Sequence, residues 1–469
     1  MNSTDERYHP STSQFKGAAA NAAHPAPLAP QFRGLSIEYL GIDSIRPNPR
    51  NARTHSKKQI KLIADSIRTF GFNSPVIVDG ENVVIAGHGR VEAAKLLGYS
   101  TVPTVRIEHL TPDQIRAYAL ADNQLALRAG WDKSVLSVEL EYLVTLAGDM
   151  DVSITGFDTG EIDQLILGDS ADLKPDPDDR LPETSGIAVS QPGDLWLLND
   201  HRVLCGDATS ALSHEALMGE HTADVVVSDF PYNCRIPGHV SGLGAIKHRD
   251  FVMASGEMSR EEFTEFLGKV MRNLTRHTRH GSLHYIFIDW RHIGELLDAS
   301  KDVYKSFINL CVWVKDNPGM GSFYRSQHEL IFVFRNGNAQ HQNNVELGKF
   351  GRNRTNVWTA PSVNAFARQT DEGRLADLHP TVKPVALIAD AILDCTSRGQ
   401  IVLDPFLGSG TAIIAAERVG RRCYGMELDP LYVDTAIRRW QRYSGSVAIH
   451  AISGARFDEV ESKTETHHG

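Results

Sequence analysis

Asp229-Phe230-Pro231-Tyr232 closes the apolar run Val225-Val226-Val227-Ser228, and far downstream Asp404-Pro405-Phe406-Leu407-Gly408-Ser409-Gly410-Thr411 follows Ile401-Val402-Leu403. A carboxylate, a proline-stiffened backbone and an aromatic ring in succession suit one kind of chemistry. An exocyclic amine on a heteroaromatic ring is a poor nucleophile, because its lone pair is delocalised into the ring. Two acceptors aimed at that NH2, the Asp229 carboxylate and the carbonyl of Phe230 or Pro231, would favour a more tetrahedral nitrogen and disperse charge as it attacks. Pro231 restricts the backbone so that the carbonyl stays aimed, and Tyr232 offers a face on which an extruded base can stack. In the second motif, Gly408 and Gly410 let backbone approach a ligand with no Cβ in the way. A dinucleotide-binding loop would place a third glycine at position 413, where this chain has Ile413, which argues against a nicotinamide or flavin site.

These motifs need a frame. Val225–Ser228, Tyr285–Ile288, Ile331–Phe334 and Ile401–Leu403 are short β-rich apolar runs alternating with helical segments, the pattern of a doubly wound α/β sheet. Ligands of such sheets lie at the carboxyl ends of the strands, where both motifs fall. Cys423-Tyr424-Gly425-Met426 reads as another strand, and Glu427 at its end can accept from both ribose hydroxyls of a nucleoside. Asp207, after Val203-Leu204-Cys205-Gly206, is expected to face the base end of the same ligand. Trp290, Trp313 and Trp358 read as core residues, and His277 and His280 as part of a solvated, arginine-rich helix end.

The 469 residues exceed one core and suggest two or three domains. A net charge of -10 excludes a chain-wide coating of nucleic acid and leaves local basic patches as the place to look. No apolar run approaches the ~18 residues that span a bilayer, and a cytoplasmic protein without membrane contact is expected. Five scattered cysteines with no C-x-x-C pair signal neither disulfides nor zinc, and no metal is expected. Residues 1–34 read as a disordered arm and 35–130 as a small α+β domain. Within the latter, Ser56 with Gln59 caps a helix over 57–70, Val76–Val78 and Val83–Ala86 form a hairpin, Gly87-His88-Gly89-Arg90 opens a short helix, and Thr111-Pro112 starts another. Residues 131–189 read as a helical segment and an acidic, proline-rich linker, with Lys174-Pro175-Asp176-Pro177-Asp178-Asp179 as the domain boundary. The catalytic domain is expected over 190–455, and 456–469 as a frayed tail.

With these residues in hand, 194–441 resembles the permuted, beta-class amino-methylating DNA methyltransferases, in which the catalytic motif precedes the cofactor motif. Val203–Thr209, Asp229–Tyr232, Trp313–Lys315 with Ser326–Glu329, Arg354–Trp358, His379–Pro384 and Asp404–Glu427 carry the resemblance. It implies a Rossmann-like sheet and S-adenosyl-L-methionine as cofactor, held by Asp207, Lys383, Asp404, Pro405, Phe406, Gly408, Ser409, Gly410, Thr411 and Glu427. It implies catalysis by Asp229, Phe230, Pro231 and Tyr232 on a flipped base of duplex DNA. Phe230 stands where the family usually has proline. The leading Asp favours N6 of adenine, while Ser228 before it keeps cytosine N4 open; protein glutamine methylation is disfavoured, because that family opens its motif with Asn. The basic, Asn- and Gly-containing stretch 338–368 takes the family's target-recognition position, with Arg352 and Arg354 as DNA contacts, and the loop 233–256 is expected to close over the base. Residues 36–128 resemble the ParB and sulfiredoxin-like domain through Pro47–Arg50, Gly87–Arg90 and Val102-Pro103. The catalytic cysteine of sulfiredoxins is missing, and Arg90 at a helix start could bind a phosphate. The acid-free run holding Arg50, Lys57 and Lys58 suggests contact with duplex backbone. A homodimer is compatible with the sequence. The rival of another class is a ParB-like DNA-binding regulator with a vestigial methyltransferase half.

Overall fold

The computed structural model describes residues 35–146, 151–167, 176–182, 186–233, 256–316, 318, 323–345, 354–361 and 382–468. The chain divides into two compact units, Met1–Gly130 and Trp131–Gly469.

In the first unit a four-stranded sheet is ordered β1 (Ile37–Gly41), β4 (Thr101–Arg106), β2 (Val76–Val78), β3 (Val84–Ala86). Helix α1 (Lys57–Phe70) begins where Ser56 accepts from the Gln59 amide, and α3 (Pro112–Arg128) begins on a full capping box from Thr111 and Gln114. Between them α2 (His88–Leu96) follows Gly87, whose φ of 103° no β-carbon-bearing residue adopts easily.

The second unit carries helices α4 (Lys133–Leu146) and α5 (Thr159–Leu167), then a ten-stranded sheet. Its strands are β5 (Leu195–Leu198), β6 (His201–Cys205), β7 (Ala223–Asp229), β8 (Thr278–Ile288), β9 (Ser306–Val314), β10 (His328–Arg335), β11 (Val357–Thr359), β12 (Ile401–Asp404), β13 (Arg422–Glu427) and β14 (Ile449–His450). Their spatial order is β11-β9-β10-β8-β7-β12-β13-β6-β5-β14. The run β8-β7-β12-β13-β6 is parallel. Because side chains alternate along a strand, Val225, Val227 and Val402 enter one core and Val226, Ile401 and Leu403 the other. Helices α9 (Val385–Cys395), α10 (Thr411–Arg418) and α11 (Pro430–Ser444) cover the first face. Helices α6 (Ala211–Met218), α7 (Arg260–His277) and α8 (Ile293–Ser300) cover the second. The expected doubly wound α/β architecture is the one observed.

Four expectations need correction. The compact division falls at Gly130, the end of the small α+β domain read from the sequence, and the acidic stretch is not a boundary, because residues 176–182 are fastened to the second unit. Arg418 pairs with Asp176 at 2.5 Å and Asp178 at 2.6 Å, and the Val385 amide donates to Asp179 at 2.8 Å. The segment read as a frayed tail forms helix α12 (Phe457–His468), whose Phe457 is fully buried edge-on to Trp196. Trp313 and Trp358 are core residues as expected, but Trp290 is half exposed. His277 ends α7 and stacks on His214, and His280 lies in β8. Residues 1–34, Cys234, Lys174, Pro175, Arg352, His379–Thr381 and nearly all of the loop 233–256 lie outside the described residues.

Candidate functional site

Each of the five parallel strands ends on an acid: Asp289 after β8, Asp229 on β7, Asp404 on β12, Glu427 on β13 and Asp207 just past β6. Strands β7 and β12 are neighbours, yet the chain leaves β7 towards β8 on one side and β12 towards β13 on the other. The switch point, where open α/β sheets bind ligands, therefore lies between Asp229 and Asp404. Ser228 bridges it by donating to Asp404 Oδ1 at 2.6 Å, with both residues buried. Burial pushes the Asp404 carboxyl up to about 7; Ser228 and the Phe406 amide oppose this, and the charges of Asp229 and Glu427 add to it.

The loop after β12 wraps around Glu427. The Gly408 amide donates to Glu427 Oε2 at 2.9 Å, the Asp429 amide to Oε1 at 2.9 Å, and the Leu407 amide to the Met426 carbonyl at 2.9 Å. Burial raises the Glu427 carboxyl. The two glycines do different things. A Cβ on Gly410 would stand 2.8 Å from Ala436 Cβ, so that glycine is required by the approach of α11. Gly408, at φ 51°, is the one compatible with a close ligand.

Around Asp229 the structure assembles more than the sequence motif contained. Lys383 Nζ lies 2.5 Å from Asp229 Oδ2 and 3.1 Å from Glu329 Oε2, and Lys315 Nζ lies 2.5 Å from Glu329 Oε1. The Tyr232 hydroxyl lies 2.8 Å from Asp229 Oδ1 and 3.1 Å from Glu329 Oε2. Two carboxylates and two ammonium groups thus neutralise one another in a largely buried crevice. Burial raises the Asp229 carboxyl, assisted by Glu329 and opposed by Lys383. Burial acts the same way on Glu329, but Lys383 and Lys315 outweigh it and hold that carboxyl down at about 2. Asp229 keeps 24% side-chain exposure against 9% for Glu329, so it is the carboxylate that opens towards solvent.

Several expected roles change with this geometry. The Lys383 side chain sits on Asp229, not on the glycine loop. The Phe230 ring is buried edge-on against Phe406 at 5.0 Å, so it braces the glycine loop from the core and does not line a base pocket. Pro231 and Tyr232 lie at the crevice, half buried. Asp207 Oδ1 accepts from the Thr209 amide and hydroxyl, both at 2.8 Å, while the Gly206 amide donates to the Glu427 carbonyl, which places Asp207 beside Glu427. Pro405, Ser409 and Thr411 are buried, and Arg439 donates to the Ser409 carbonyl at 3.2 Å and to Thr411 Oγ1 at 3.0 Å. Arg354 is not a free DNA contact: it pairs with Asp390 and Asp394 on α9 and lies over the Trp358 ring.

Sequence reasoning named Lys315 and Glu329 only within the stretches that carry the resemblance and gave them no role, and it missed Arg439. A charged residue opening an otherwise apolar strand, Glu329-Leu330-Ile331-Phe332, was the available signal for Glu329, since such a group enters a core only when paired. Strand β9 also ends at this edge, and beyond it Phe323 and Tyr324 stand 84% and 82% exposed, ring against ring at 4.4 Å. Asn233, at φ 49°, joins the stems of the neighbouring loop by accepting from the Gly256 and Met258 amides. In the first unit, Lys57 and Lys58 are exposed at the start of α1, and Arg50 is exposed in the turn before it. Arg46 is paired with Glu81, Arg53 donates to Asn123, and Arg90 donates to the Pro75 carbonyl at 3.2 Å.

A doubly wound sheet with a carboxylate motif and a glycine loop facing each other across its switch point defines the class of α/β methylases. Residues 223–438 match the DNA methylase family of N6 and N4 enzymes, 134–192 the ParB-methyltransferase HTH domain, and 29–124 the ParB N-terminal domain. The chain belongs to the N6/N4 family of DNA methyltransferases, in the permuted order and with a ParB-type N-terminal domain. Among curated proteins it is similar to the type II methyltransferase M.HpaI of Haemophilus parainfluenzae, 25% identical over 255 residues, covering 51% of this chain and 74% of that protein. It is also similar to the ParB-like nuclease domain-containing protein YnaK of Escherichia coli, 41% identical over 80 residues, covering 17% of this chain and 92% of YnaK. Among solved structures, TTHA0409 of Thermus thermophilus, complexed with S-adenosyl-L-methionine, aligns at 22% identity and a TM-score of 0.36 over 55% of this chain and 98% of that one.

Proposed function

We propose that this enzyme transfers a methyl group from S-adenosyl-L-methionine to the exocyclic N6 amine of adenine in duplex DNA. The observation that carries the reading is the Asp229 carboxylate, partly open at the switch point and one strand from the glycine loop. The crevice also fits the cofactor's charge. Asp229, Asp404 and Glu427 end three adjacent strands, and burial raises all three carboxyls, so a cation is the favoured occupant. The cofactor, when bound, supplies a methyl on a cationic sulfur whose electron pair returns to that sulfur as the nitrogen–carbon bond forms.

This chain's residues then have separable tasks. Gly408 and the backbone around it admit the ligand, Glu427 takes the ribose hydroxyls and Asp207 lies towards the adenine end. Both Asp229 oxygens are engaged by Lys383 and Tyr232, and Glu329 Oε2 lies 3.1 Å from each of those groups. An arriving amine takes over Asp229 while Lys383 and Tyr232 remain on Glu329. Asp229 and a backbone carbonyl of the Phe230-Pro231 segment orient the nitrogen, and Asp229, its pKa raised, accepts the proton that the methylated nitrogen sheds. Tyr232 stacks on the flipped base, a contribution of roughly 1–3 kcal/mol. Arg50, Lys57 and Lys58 hold duplex backbone, and the exposed Phe323 and Tyr324 meet DNA at the rim.

Adenine is favoured over cytosine because the motif opens with Asp, and because Ser228, the residue that left cytosine open, is buried and committed to Asp404. Nucleoside mass spectrometry of DNA methylated by the purified protein tests this. N6-methyladenine is expected; N4-methylcytosine would overturn the base assignment, and DNA binding without transfer would favour a vestigial enzyme.

A further inference from the structure

Arg439 is one of the largest fully buried side chains of the second unit, 1% exposed in the middle of α11. Its partners explain why a guanidinium is there. One nitrogen donates to the Ser409 carbonyl at 3.2 Å and to Thr411 Oγ1 at 3.0 Å, which fixes the glycine loop where it becomes α10. The other donates to the Asp178 carbonyl at 2.8 Å, in the short turn Pro177–Asp179. Asp179, next in that turn and 5% exposed, accepts from the Val385 amide at 2.8 Å. Val385 begins α9 two residues after Lys383, the lysine on Asp229. On the outer side Arg418 clamps the turn through Asp176 and Asp178.

One turn therefore touches both halves of the methyl-transfer site. It reaches the cofactor loop through Arg439 and the Lys383–Asp229 pair through the first amide of α9. It lies outside the stretch matching the DNA methylase family, 223–438, and inside the stretch matching the ParB-methyltransferase HTH domain, 134–192. Burying an arginine and an aspartate is costly unless their partners are well placed, and their positions tie the loop to the lysine.

We propose that the turn Pro177–Asp179 is a positioning element of the active site, which sets the cofactor loop through Arg439 and the Lys383–Asp229 pair through Asp179. This rests on the reading of the crevice as an S-adenosyl-L-methionine-dependent amine-methylating site. The catalytic unit accordingly begins before residue 176, and the segment that resembles a linker is part of the enzyme.

The test uses the full chain, measuring the Kd for S-adenosyl-L-methionine by calorimetry and the single-turnover methylation rate at saturating cofactor. Arg439→Met leaves the Ser409, Thr411 and Asp178 acceptors without their donor and is expected to raise Kd about tenfold or more, with the saturated rate within about threefold of wild type. Arg439→Lys recovers part of the affinity. Asp179→Ala frees the start of α9 and is expected to lower the saturated rate about tenfold and to shift the pH–rate profile, because Lys383 no longer holds its place on Asp229. Arg418→Gln loosens the turn from its exposed side and is expected to produce a smaller rise in Kd; it serves if the buried variants do not fold. A turn with a purely structural role lowers Tm in these variants while Kd and saturated rate per folded molecule stay at wild-type values, and that result overturns the proposal. Failure of the wild-type protein to bind the cofactor would instead remove the parent reading.

Discussion

Cofactor affinity should depend on pH through Asp404, and the size of the effect follows from the crevice. Burial raises this carboxyl from an ordinary 3.8 to about 7. A carboxyl raised in the fold holds its proton longer than the unfolded chain does. Its contribution to stability is therefore present below pH ~4 and lost as pH rises towards 7, an upper bound of roughly 4 kcal/mol for three units. A cationic ligand reverses the preference, because it binds the ionised carboxylate. Affinity then scales with the ionised fraction, about one half at pH 7 and about one tenth at pH 6, so Kd weakens about fivefold from pH 7 to 6 and approaches tenfold per unit below that. Calorimetry in buffers of different ionisation enthalpy counts the protons released on binding: about 0.9 at pH 6 and about 0.5 at pH 7. The window is kept to pH 5.5–7, because the cofactor's own α-amino group titrates near ~8. S-adenosylhomocysteine, which lacks the sulfonium charge, should release fewer protons. Asp404→Asn retains the acceptor for Ser228 and the Phe406 amide but cannot ionise, and should flatten the profile. A wild-type Kd constant across the window, or proton release unchanged in Asp404→Asn, would refute the assignment of the charge-sensing group.

Asp229→Asn should lower the single-turnover methylation rate by about a hundredfold to a thousandfold while leaving cofactor Kd within a few-fold; tritium transfer and calorimetry separate the two. Glu329→Gln removes one of two anions facing the buried Lys383 and the partly buried Lys315 and should cost about 3 kcal/mol or more in urea unfolding. In the native protein Glu329 is held at about 2 against an ordinary 4.5, so its contribution is full above pH ~4.5 and disappears as pH falls towards 2. Arg354→Ala leaves the buried Asp390 and Asp394 without their guanidinium and should lower stability by about 3 kcal/mol, while the slope of log K for DNA against log salt stays that of wild type; a flatter slope would return Arg354 to the DNA surface.

What the sequence made legible is local. Helix α1 and its Ser56 cap, the capping box of α3, the β2–β3 hairpin and the apolar strands β7, β8, β10 and β12 all carry their instructions within a few residues, in spacing and capping chemistry. The two motifs were legible for the same reason. What stayed hidden joins distant parts of the chain. Glu329 meets Asp229 only because β10 runs antiparallel to β8, which returns its first residues to the carboxyl edge where β7 ends. Arg354 reads as a base-reading arginine until the fold supplies Asp390 and Asp394. The acidic stretch reads as a spacer because proline and aspartate break helices locally, but Arg418, Arg439 and the Val385 amide give those same acids long-range partners.

That contrast has a physical root in charge. Within a local window an acid or base is read as solvated, since exposed ion pairs contribute little. At the carboxyl edge of this sheet the opposite regime holds: adjacent strands bring Asp229, Asp404 and Glu427 together, and each must be answered by a donor. Ser228 answers Asp404, the Gly408 and Asp429 amides answer Glu427, and Lys383 answers Asp229. Only the last answer is a long ammonium side chain with a second anion, Glu329, already within reach. The crevice is therefore rigid where it would hold a cofactor and exchangeable where it would admit an amine, an asymmetry suited to keeping one ligand bound while a base is drawn in to react.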